Sequence, residues 1–96
     1  MNQEERVLAY IKRYGSITPL DAFRDLGITK LATIVSKLKR EGKVFYQYYE
    51  KSKNRFGEPT RYMRYWRSYQ QYLKDMQDIV IKEEQLEEII WNYRNL

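Results

Sequence analysis

Two clusters of side chains in this chain have the types and spacing to grip a polyanion. Thr29, Lys30, Thr33, Ser36, Lys37 and Arg40 recur in steps of three and four and share one face of a helix. On that face short hydroxyls permit close approach, and longer cations reach phosphates or guanine edges. The second cluster is Lys51, Lys53, Asn54 and Arg55, four of five consecutive positions, with Lys43, Arg61 and Arg64 placed to extend the patch. Bond-making chemistry has far less to draw on. The chain contains no cysteine and no histidine, which excludes thiolate and imidazole metal sites and every His-based mechanism. No carboxylate pair or phosphate-cradling glycine loop stands out, so neither an enzyme nor a cofactor is expected.

Charge is divided along the chain. Residues 1–67 hold 15 Lys/Arg against 7 Asp/Glu, and residues 68–96 hold 3 against 6. A basic field on one part of a small domain favours double-stranded DNA as the partner. The first twenty residues are amphipathic and carry Glu4, Glu5, Arg6, Lys12 and Arg13, without the apolar run of a signal peptide or membrane span. A cytoplasmic location and no membrane partner are expected.

The elements that must position these residues follow from periodicity and caps. Asn2 with Glu5 opens a first helix, in which Val7, Leu8, Ile11 and Tyr14 recur at helical intervals up to Gly15. Ser16 and Ile17 form a short extended stub. Thr18-Pro19 opens a second helix, with Leu20, Phe23 and Leu26 as its buried stripe and Gly27 as its stop. Thr29 caps a third helix that buries Leu31, Ile34, Val35 and Leu38 and stops at Gly42.

From Val44 to Glu50 the period becomes two and the residues β-branched and aromatic, and Thr60 to Trp66 repeats the pattern. The two strands make a hairpin whose tip, Lys51 to Pro59, is too charged to bury. Of ten tyrosines, Tyr46, Tyr48, Tyr49, Tyr62 and Tyr65 fall on these strands, so one hairpin face must be aromatic.

Helix, helix, tight glycine turn, helix, hairpin is the order of an α+β winged helix-turn-helix domain, here over residues 1–67. In that fold the third helix enters the major groove and the hairpin tip rests against the neighbouring backbone or minor groove. A merely solvated helix face would carry more acids, and Glu41 is the only one nearby, set to the side.

The stretch Gly15 to Trp66 resembles the winged helix-turn-helix domains encoded by phages and other mobile elements. The likeness rests on Ser16-Ile17-Thr18-Pro19, Leu26-Gly27, Leu31-Ala32, and Gly57 ahead of Tyr65. It implies DNA binding in a phage or prophage setting, as a regulator of transcription or of excision or replication. The rival is a protein-binding adaptor, such as an inhibitor of a host machine built on the same scaffold.

Residues 68–96 read as one long helix that opens at Ser68. Tyr69, Tyr72, Met76, Ile79, Leu86, Ile90 and Tyr93 form a heptad-like stripe interrupted by Glu83, while Ile81, Ile89 and Trp91 lie off it. Such a helix cannot stand alone in water. A homodimer through the stripe is the leading expectation; folding back on the domain and an acidic surface for another protein are the alternatives.

Overall fold

Asn2, Thr18 and Ser68 each end an extended segment by accepting, through a side-chain oxygen, the amide of the residue three positions on: Glu5 at 2.8 Å, Asp21 at 3.2 Å and Gln71 at 3.3 Å. In the computed structural model, which describes residues 1–95 except for the side chain of Tyr93, these caps start helices α1 (Gln3–Tyr14), α2 (Pro19–Leu26) and α4 (Tyr69–Arg94). Only Thr18 closes a full capping box, since Asp21 returns to the Thr18 amide at 3.0 Å. Gln71 donates to Asp75 instead. Between α2 and β2 lies α3 (Leu31–Arg40); the strands are β1 (Ser16–Ile17), β2 (Tyr46–Lys53) and β3 (Pro59–Trp66).

Gly27 makes the tight turn before α3 possible. It sits at φ 67°, ψ 23°, the left-handed region that side chains with a Cβ avoid, and its amide closes back on Phe23 O. Gly15, at φ 92°, is constrained twice, because a Cβ there would lie 3.1 Å from Gln71 Cγ on α4.

The core is one cluster in which Val7 and Ile11 of α1 meet Ile28, Leu31, Ile34, Val35 and Leu38 of the turn and α3, with Ile17 and Tyr65 from the sheet. The expected α2 stripe is corrected. Leu20 and Phe23 are 66 and 61 % exposed, and the helix buries Ala22 with Leu26 half-covered. An eight-residue helix has one inward face, and the small Ala22 holds its centre. Thr29 does not cap α3: the cap position is Lys30, and no side chain closes it.

The sheet runs β1-β3-β2, all antiparallel, with Tyr46 opposite Trp66 and Lys53 opposite Pro59. β2 therefore starts two residues later than expected and continues to Lys53. Lys51 and Lys53 need no burial, since alternation puts them on an open face. The turn proper is Asn54 to Glu58, organised by Asn54 Oδ1, which accepts the amides of Phe56 and Glu58 at 2.9 and 3.1 Å.

Residues opposite one another on paired strands share a face. Tyr46, Tyr48, Glu50, Tyr62, Arg64 and Trp66 form one; Gln47, Tyr49, Lys51, Arg61, Met63 and Tyr65 form the other. On the second face Tyr65 and Met63 pack on the helical core. The first is covered by α4, where Tyr72 meets Tyr46 and Trp66 at 5.8 and 5.1 Å between ring centroids and Asp75 accepts from Trp66 Nε1 at 2.8 Å. No described helix is long and apolar enough to cross a membrane.

Candidate nucleic-acid interface

Because α3 buries Leu31, Ile34, Val35 and Leu38, the same 3.6-residue period turns Thr33, Ser36, Lys37 and Arg40 outward. All four are exposed, as are Thr29 and Lys30 at the start of the helix and Lys43 just beyond it. Lys37 is not idle: its Nζ pairs with Glu4 Oε1 on α1 at 2.6 Å, and that hydrogen bond raises its pKa. Arg40, Lys43, Lys53, Arg55 and Arg61 have no ion pair among the described residues.

The wing joins this face through a contact that periodicity alone does not reveal. Lys39 Nζ donates to Gln47 Oε1, tying the last turn of α3 to β2. Gln47 starts the open face of the hairpin, which continues through Tyr49, Lys51 and Arg61 to Lys53. Tyr49 is 53 % exposed, and the Arg61 guanidinium lies 5.9 Å from its ring centroid. Lys39, Gln47 and Tyr49 thus belong to the surface although the sequence reading passed over them. The missed signal was strand parity: Gln47 and Tyr49 alternate with Tyr46 and Tyr48, and only one set can face α4.

Three expected contacts are placed differently. Arg64 is on the covered face, where it donates to Glu50 Oε2 at 2.8 Å and Ser16 Oγ at 3.0 Å. Glu50 is buried there and needs a cation beside it, so Arg64 is withdrawn from the solvent face. Asn54 spends its side-chain oxygen on the turn. Lys51 reaches Glu87 on α4 at 2.9 Å.

The stripe expected to seat a second chain lies along the hairpin of the same chain. Ile79 is buried; Tyr72, Met76, Leu86 and Ile90 are half-covered, Tyr69 remains exposed, and the side chain of Tyr93 lies outside the described residues. Glu83, apparently a flaw in a heptad seam, is 9 % exposed and has two donors: the Tyr48 hydroxyl at 2.7 Å and the Lys51 amide at 2.9 Å. The wet outer edge of β2 and the aromatic face of the hairpin both needed cover, and α4 supplies it.

Three helices, a glycine-turned second-to-third junction and a hairpin beside the third define a winged helix-turn-helix module with one polar, cationic side. Residues 2–66 match the family model of the winged helix-turn-helix domain, which is more than half of the chain, and the chain belongs to that family. No curated protein and no solved structure matches.

Proposed function

We propose that this chain binds double-stranded DNA, with α3 in the major groove and the open wing face against the adjacent backbone or minor groove, as a phage or prophage regulator of transcription or another DNA transaction. The observation that carries the reading is the junction at Lys39 and Gln47. It unites the exposed hydroxyls and cations of α3 with the exposed Tyr49, Arg61 and Lys53 of the wing, while α4 occupies the opposite hairpin face. Thr33 and Ser36 can approach base edges closely, and Arg40, Lys43, Lys53 and Arg61 are placed for phosphates.

The test is titration onto random-sequence duplex at several salt concentrations. Roughly six phosphate contacts give a log–log slope of about −5. Arg40→Glu with Arg61→Glu should abolish binding without altering the circular dichroism spectrum. Binding that survives this double change refutes the placement.

A second reading, a protein-binding adaptor on the same scaffold, draws on the exposed Leu20 and Phe23 of α2. It predicts a partner lost on Leu20→Gln with Phe23→Gln and retained on Arg40→Glu with Arg61→Glu.

A further inference from the structure

The wing ends in a turn built to hold its apex still. The Gly57 amide donates to Asn54 O and the Asn54 amide to Glu58 O, both at 3.0 Å, while Asn54 Oδ1 takes the amides of Phe56 and Glu58. Gly57 has φ 78°, and no non-glycine residue among those described has positive φ. Arg55 and Phe56 are therefore the central pair of a type I turn, with Asn54 and Gly57 at the outer positions where those residue types are favoured. The left-handed Gly57 then returns the chain to β3, as in a three-residue hairpin loop.

At the apex of this turn Phe56 is 66 % exposed. Among the described residues no other ring and no cation packs on it. A turn apex is ordinarily polar, and the turn's own bonds are made by Asn54 and the backbone, so the phenyl ring contributes nothing to holding it. Cations flank the ring: Lys53, Arg55 and Arg61 have no ion pair among the described residues, and Glu58 is the one acid of the turn.

Resting on the double-stranded-DNA reading above, we propose that Phe56 is a wedge that enters the minor groove, slides between two stacked base pairs and kinks the duplex. An apolar side chain used this way must be held out on a rigid support, and cations must hold the phosphates on either side of it. The turn and its flanking residues meet both needs. Reach is sufficient as well. Asn54 lies seven residues beyond Gln47, where the wing meets α3, so the strand carries the tip about 23 Å from that junction. The minor groove beside an occupied major groove is about half a helical turn away, roughly 17 Å along the axis. Pyrimidine–purine steps part most easily, which makes Phe56 a source of preference for TA steps without any hydrogen bond to a base.

The experiment pairs binding with bending. Two duplexes of equal base composition and about 25 base pairs are labelled at both ends, one with TA steps through its centre and one an A-tract without them. The intact chain should favour the first at least fivefold and raise energy transfer between its ends. Phe56→Ala should lose the preference and the bend while keeping its circular dichroism spectrum and its salt slope, because the turn and the phosphate contacts remain. Phe56→Leu, still an apolar wedge, should retain both. An intact chain that binds and leaves the duplex straight, or Phe56→Ala that bends it as well as the intact chain, overturns the wedge and leaves the DNA-binding reading standing. An intact chain that binds neither duplex at low salt overturns that reading and the wedge with it.

Discussion

The Tyr48 hydroxyl donates to Glu83 Oε2 across 2.7 Å, joining the wing to a helix 35 residues further along the chain. With Oε1 held by the Lys51 amide, one buried carboxylate ties the middle of β2 to the middle of α4. The wing is therefore splinted along its length by α4.

Replacing Glu83 by Leu leaves the Tyr48 hydroxyl and the Lys51 amide without their acceptor. Hydrogen bonds to a charged group contribute about 1.5–3 kcal/mol each, and an unsatisfied buried donor costs a similar amount. Urea denaturation should show a loss of about 2–4 kcal/mol, and amide exchange at Lys51 should accelerate. Unchanged exchange there would show that α4 does not hold the strand edge.

Glu83, together with burial, raises the Tyr48 phenol to about 12 from its ordinary 10.0. A pKa higher in the folded chain than in the unfolded one means stability is intact below pH 10 and drains as pH rises from there through about 12. Ultraviolet titration at 295 nm should resolve a late-ionising class of tyrosines, and Tyr48→Phe should remove one member from it.

At the acid end the sign reverses. Hydrogen bonds from Arg24 and then Tyr10 hold the Asp25 carboxyl down at about 2, below its ordinary 3.8. Its contribution is present above that ordinary value and fades as pH falls through about 2. Asp25→Asn should lower the melting temperature at pH 6 and flatten its decline between pH 5 and pH 2.

Lys37 must release Glu4 before it can meet a phosphate. An exposed ion pair of this kind is worth about 0–1 kcal/mol, so Glu4→Gln should tighten binding to random duplex by up to roughly fivefold at low salt. A weakened complex would mean that Glu4 positions Lys37 instead of restraining it.

The two tryptophans report on α4 separately, because Trp66 is fully buried beneath the helix and Trp91 is exposed. Iodide should quench only part of the fluorescence, and Trp91→Phe should remove most of that part. Trp66→Ala should cost about 3–5 kcal/mol, as large buried aromatic losses do.

Local rules carried much of the fold. The caps at Asn2, Thr18 and Ser68, the stop at Gly27 and the buried set Leu31, Ile34, Val35 and Leu38 depend on residues within a turn or two of one another, so their spacing alone places α1, α2, α3 and α4. The change of period after Val44 likewise announced the hairpin. The outward face of α3 was legible for the same reason: whatever buries Leu31 and Leu38 exposes Thr33 and Arg40.

What lay beyond the sequence concerns which of two surfaces an element presents to a distant partner. Leu20 and Phe23 have helical spacing, but α2 had a single inward face and Ala22 took it. Arg64 and Arg61 look equivalent on one strand, yet alternation sends the first to the buried Glu50 and leaves the second beside Tyr49. The stripe on α4 would suit a partner helix or a sheet equally well. The sheet of its own chain, joined to α4 through a two-residue link, offered Trp66, Tyr46 and an unpaired strand edge in need of cover. Residue spacing determined the elements and their polar and apolar faces; long-range competition for burial decided which faces meet.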